Sequence, residues 1–134
     1  MTNKYILAIS GNDIFSGGGL YADLATYTTN HLHGFLAVTC LTALTDKGFE
    51  VFATDDEVFD HQLNSLKDVP FSGIKLGLLP NVRLADKALE FIKEHKEIPI
   101  VLDPVLVCKE KHDVEVSAPV SYTHLRAHET RSNL

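Results

Sequence analysis

The sequence predicts an α/β protein, a parallel sheet with helices on both faces. Two observations carry this. Short, near-continuous apolar runs such as residues 5–9 read as strands buried on both faces. Between them lie amphipathic segments of about a dozen residues, the alternation that builds a parallel sheet. A length of 134 residues fits a single domain as a prior.

Residues 4–10 form the first strand and run into a loop, residues 11–19, that ends in three glycines. Helical spacing follows at Leu20, Leu24, Tyr27 and His31, up to Gly34. Residues 35–41 read as a second buried strand. Asp56 opens a second helix, with Val58, Phe59, Leu63 and Leu66 on one side and Pro70 closing it. Residues 73–77 are a short strand, and Pro80 starts a third helix through Ala85, Leu89 and Ile92. Residues 98–102 are a fourth strand, ended by Asp103 and Pro104. Ligands of such sheets bind beyond the carboxyl ends of the strands. Residues 11–19, 77–80 and 103–109 all fall there.

Composition narrows the ligand. Apolar residues make up 45% of the chain and charged residues 22%, as in a soluble globular protein. With 12 Lys and Arg against 18 Asp and Glu, the net charge of −6 disfavours nucleic acid and anionic membranes as partners. A phosphorylated small ligand needs only a few donors and is not disfavoured. Cys40 and Cys108 are too few and too far apart for a disulfide framework or a zinc cluster. No secretory signal is visible, and the longest apolar region, residues 35–44, is about half a membrane span. The expected location is the cytoplasm.

The chain changes character after residue 118. Residues 120–130 resemble the reading-frame translation of a common transposase-type sequencing-library adapter. The expected organisation is therefore residues 1–118 as the N-terminal part of a larger domain and residues 119–134 as a non-native tail, set aside from fold reasoning. His124 and His128, four apart, have metal-ligand spacing on a helix. They fall inside that tail, so no metal site is expected.

The glycine loop fits neither common phosphate motif. A P-loop would end Gly-Lys-Ser/Thr, whereas here Leu20 follows Gly18 and Gly19; a dinucleotide fingerprint needs a glycine where Asp13 stands. Glycine alone also suits a plain strand-to-helix turn. Asp23, one turn into the helix, either complements the helix dipole or points toward a ligand at the sheet rim.

Gly11, Asp13, the Ser16–Gly19 turn, Ala22–Leu24, Lys75–Leu79 and Asp103–Lys109 together resemble the hydroxymethylpyrimidine kinase and pyridoxal kinase branch of the ribokinase superfamily. The resemblance spans about residues 4–117 and implies a three-layer ribokinase-like fold, here truncated. It implies transfer of the ATP γ-phosphoryl group to a hydroxymethyl group on a heteroaromatic ring, with ATP and Mg2+ as cofactors and a homodimer as the full-length assembly. Residue by residue, it places Gly11 and Asp23 against the substrate ring. Leu78 and Val105 would sandwich the ring, and Asp103 would lie near the magnesium and phosphate region. Ile14, Phe15 and Tyr21 depart from the usual pattern.

Two positions bear on the substrate. Leu44 stands where pyrimidine kinases of this branch tend to carry Gln, and an apolar side chain cannot read an aminopyrimidine edge. Cys108 resembles the pyridoxal kinases, where a substrate-side thiol could engage the aldehyde; a core cysteine at a strand end is the alternative. The balance favours vitamin B6 (pyridoxal, pyridoxine or pyridoxamine) over the hydroxymethylpyrimidine of thiamine biosynthesis. Residues 109–112 are either a flap over the substrate or a solvated loop. His31, His33, His61 and His95 form no metal-like cluster and are not expected to be catalytic.

The family's later motifs, including its main catalytic Asp, are not recognisable in this chain. Turnover is therefore expected of the intact parent protein and not of the 134 residues alone. A non-catalytic ring-binding module and a fragment unable to fold are the alternatives; half a parallel sheet exposes an apolar edge.

Overall fold

The computed structural model describes residues 4–103. The elements are β1 (Lys4–Ser10), α1 (Gly19–Thr29), β2 (Leu32–Val38), β3 (Cys40–Thr45), β4 (Gly48–Ala53), α2 (Asp56–Leu66), β5 (Phe71–Leu76), α3 (Val82–Lys93) and β6 (Ile100–Leu102). Four strands form a parallel sheet in the order β2-β1-β5-β6, and β3 and β4 form a separate antiparallel hairpin.

The apolar runs are two-faced because the sheet is covered on both sides. Along β1, Leu7 and Ile9 join the larger core with α2 and α3, through Phe59, Leu63, Leu84, Ala88, Phe91 and Ile92. Ala8, on the opposite face, packs with Leu20 and Tyr27 of α1. This is the expected three-layer arrangement. The third helix is the most strongly amphipathic: Leu84, Ala85, Ala88, Leu89, Phe91 and Ile92 are all buried. Truncating one of its leucines to Ala would cost about 2–5 kcal/mol.

Helix ends follow local chemistry. Asp55 caps α2 by accepting from the Glu57 N–H, and Asn81 caps α3 by accepting from the Leu84 N–H. Pro80 therefore lies outside the third helix, just before its cap. The first helix stops at Thr29 and does not reach Gly34: Asn30 caps it, and His31 turns the chain at a positive φ of 61°. Gly34 belongs to β2, and a Cβ there would lie 2.7 Å from Leu24 Cδ2 of α1. The glycine sets the close approach of helix to sheet.

The run read as one strand over residues 35–41 is divided. β2 ends at Val38 and the chain leaves the sheet at Thr39, a fully buried residue. The Thr39 N–H donates to Ser10 O at 2.9 Å, its Oγ1 donates to Leu78 O at 2.7 Å, and its carbonyl accepts from the Thr54 N–H at 2.8 Å. Gln62 of α2 supports the same corner, accepting from the Val38 N–H at 2.8 Å and donating to Val38 O at 3.1 Å. Among the described residues no helix is long and apolar enough to cross a membrane.

Candidate functional site

The carboxyl ends of β1, β5 and β6 converge with the corner at Thr39. The Gly77 N–H donates to Ile9 O and the Asp103 N–H to Leu76 O, both at 2.9 Å, which extends the ladder past each strand end. Packing there is close enough to exclude side chains. A Cβ on Gly11 would lie 2.2 Å from Cys40 Sγ, and one on Gly77 would lie 2.2 Å from Ser10 Oγ. Gly19 has a φ of +63°, and a Cβ on it would meet Gly11 O at 2.6 Å.

The glycine loop is tied to the β3–β4 hairpin. The Asn12 N–H donates to Cys40 O at 3.1 Å, and Asn12 Oδ1 accepts from the Thr42 N–H at 2.8 Å. Thr42 Oγ1 accepts from the Ile14 N–H at 3.0 Å. Asp13 serves the loop itself, its carboxylate accepting from the N–H groups of Phe15 at 2.9 Å and Gly17 at 3.0 Å. Leu44 pairs with Phe49 as Thr42 pairs with Val51, so Leu44 shares the hairpin face that holds the loop. It is 65% exposed.

Three charged groups meet at the rim. Lys75 of β5 pairs through Nζ with Asp23 Oδ1 of α1, and lies 3.3 Å from Asp103 Oδ2 at the end of β6. Burial works against the Lys75 charge, but the hydrogen bond and charge of Asp23, and then those of Asp103, outweigh it and hold the ammonium above its ordinary pKa. Asp23 is 5% exposed, lies past the first turn of α1, and owes its place to this ion pair and not to the helix dipole. Its Oδ2 is buried with no hydrogen-bond partner among the described residues, as is the hydroxyl of Tyr27 one turn further along. Burial, and after it the charge of Asp23, pushes the Tyr27 phenol up to about 12.

Gly11, Asp23 and Asp103 thus come together at one rim. Leu78 joins them through its carbonyl, which is bonded to Thr39. Leu44 sits on the adjoining hairpin. Val105, Cys108, residues 109–112 and the tail with His124 and His128 lie outside the described residues. The motif resemblance gives Lys75 no role. A lysine within an otherwise apolar strand was the available signal, because a charge taken from water needs a partner. Thr39, Asn12 and Thr42 gave no comparable sign.

The chain matches the family model described as phosphomethylpyrimidine kinase over residues 13–125. It is 33% identical over 118 residues to the pyridoxine kinase of Bacillus subtilis strain 168, covering 85% of this chain and 44% of that protein. It is 35% identical over 105 residues to the hydroxymethylpyrimidine/phosphomethylpyrimidine kinase of Aquifex aeolicus strain VF5, covering 77% of this chain and 41% of that protein. The ADP complex of Bacillus subtilis pyridoxal kinase superposes with a TM-score of 0.78 at 31% identity, over 93% of this chain and 48% of that one. The fold is therefore ribokinase-like, and the chain spans less than half the length of the curated relatives it matches. It belongs to the phosphomethylpyrimidine kinase family, which joins the pyridoxal kinases and the hydroxymethylpyrimidine phosphate kinases.

Proposed function

We propose that the rim formed by Gly11, Asp23, Leu78 and Asp103 is the ring-binding half of a vitamin B6 kinase. The whole protein would transfer the ATP γ-phosphoryl group to the hydroxymethyl group of pyridoxal, pyridoxine or pyridoxamine. The observation that carries this is the buried Asp23 carboxylate, one oxygen held by Lys75 and the other without a donor among the described residues. A heteroaromatic ring that presents a donor there, for a B6 vitamer its protonated pyridine nitrogen, would complete it. Gly11 and Gly77 are packed against Cys40 Sγ and Ser10 Oγ, which draws the strand ends together beneath the rim. Leu78 and Val105 would flank the ring, and Cys108 would stand on the substrate side.

Vitamin B6 is favoured because Leu44, on the hairpin face that carries the loop, offers no hydrogen bond to an aminopyrimidine edge. The hydroxymethylpyrimidine reading draws on the Aquifex relative, at a similar level of identity. Phosphoryl transfer depends mainly on positioning and on stabilising negative charge. ATP and Mg2+ would supply the phosphoryl donor and its charge neutralisation. Among the described residues no cluster of three or more His, Cys, Asp or Glu converges to hold a metal. Asp103 is engaged with Lys75, so the described residues do not by themselves fit a magnesium site. We place the tail, residues 119–134, outside the kinase domain.

An ATP-dependent phosphorylation assay tests this reading. The 134-residue chain should show no turnover. A reading frame continued to the length of its relatives should phosphorylate pyridoxal in preference to hydroxymethylpyrimidine. Turnover by the short chain, or preference for the pyrimidine, would overturn the corresponding part.

A further inference from the structure

Lys75 sits in a costly place. It lies between Ile74 and Leu76, each 2% exposed, on a strand flanked by β1 and β6. Its register partner is Ala8, so it rises from the sheet face covered by α1, where apolar residues otherwise pack. An ammonium drawn in there needs compensation, and a buried ion pair is weak evidence for stability because apolar replacements are often neutral or better. What the pair does achieve is geometric. The Asp23 carboxylate is tethered through Oδ1 from a different element, and Oδ2 is left buried and without a donor among the described residues.

We propose that Lys75 is a positioning residue for ring recognition, fixing the Asp23 carboxylate so that Oδ2 faces a ligand N–H. The inference rests on the ring-binding reading of the rim. Asp103, just past the end of β6 and 65% exposed, shares Lys75 from the open side, so the ammonium lies between α1 and the end of β6. Lys75 thereby acts on the ligand through Asp23 alone, which separates it from a residue that merely supports the fold.

A double-mutant cycle reads this directly. The full 134-residue chain is titrated calorimetrically with pyridoxal, and separately with hydroxymethylpyrimidine, as native protein, Lys75→Met, Asp23→Asn and the double variant. Lys75→Met should weaken binding by about tenfold or more in the native background and by less than about twofold in the Asp23→Asn background. Thermal unfolding of each protein accompanies the titration. If Lys75→Met unfolds, Lys75→Leu carries the same comparison, and Lys75→Gln, which keeps a donor for Asp23, should retain most of the native affinity. Equal affinity of native protein and the apolar Lys75 variant, or the same loss with and without Asp23, overturns the positioning role while leaving the ring site standing. Binding of neither ring by the native chain overturns the ring site and the inference with it.

Discussion

Lys75 of β5 and Asp23 of α1, 52 positions apart in sequence, form an ion pair at the rim where the strands of the sheet end. It joins the helix after the glycine loop to a strand flanked on both sides, and it orients the one buried carboxylate among the described residues. Around it, glycines and backbone bonds bring four segments together without bulky side chains.

The tight contact between Gly11 and Cys40 gives a first prediction. Gly11→Ala would place its Cβ 2.2 Å from Cys40 Sγ, and should destabilise the chain by about 1–3 kcal/mol. Combined with Cys40→Ala, the loss should be smaller than the sum of the two single effects. Chemical unfolding of the three variants checks this, and strict additivity would show that the two positions do not collide.

Tyr27 gives the opposite sign. Its hydroxyl is buried without a partner among the described residues, beside a charge that disfavours ionisation. Tyr27→Phe should leave stability unchanged or raise it by up to about 1 kcal/mol, since it removes an unpaired polar group. A clear loss in thermal unfolding would mean that the hydroxyl is bonded after all.

Gln62 secures the point where β2 leaves the sheet. Gln62→Leu removes the acceptor of the Val38 N–H and should cost about 1–3 kcal/mol. Hydrogen exchange at the Val38 amide should accelerate more than at Ala8 in the neighbouring strand. Unchanged protection at Val38 would contradict this.

His95 makes stability depend on pH. Its Nδ1 lies 2.7 Å from Phe91 O and its Nε2 2.8 Å from Lys67 O, and only the doubly protonated ring can donate to both carbonyls. Partial burial lowers its pKa, but the two carbonyls, and then Glu94 and Glu97, outweigh that and raise it above 6.5. The stabilisation is complete below the unfolded value and is lost as pH rises through the higher folded value. The stability difference between native protein and His95→Gln should therefore be largest well below pH 6.5 and shrink as pH rises past that value. A difference that stays constant, or grows, would contradict the cationic clasp.

Much of the layered architecture was legible because apolar spacing reports burial. Residues 4–10 carry β1 as read, and the helices around Phe59 and Leu89 fall where periodicity put them. What spacing cannot encode is where a continuous apolar run changes partners. The break at Thr39 depends on bonds to Ser10, Leu78 and Thr54, all distant in sequence. The strand β4 was missed for a related reason: its residues are only partly buried and pair solely with β3. At the candidate site, motif resemblance singles out Gly11, Asp23 and Asp103, and the fold brings Asp23 and Asp103 to the same lysine. The pairing of Asp23 with Lys75 is a tertiary fact that no local pattern records.

The most direct measurement is amide chemical-shift mapping of the full chain titrated with pyridoxal in the absence of nucleotide. The account predicts saturable shifts at Gly11, Asp23, Lys75 and Gly77, and none around Tyr5 and His33 at the opposite end of the sheet. Shifts confined to that opposite end, or no saturable shifts at the rim, would contradict the assignment of this rim as the ring-binding site.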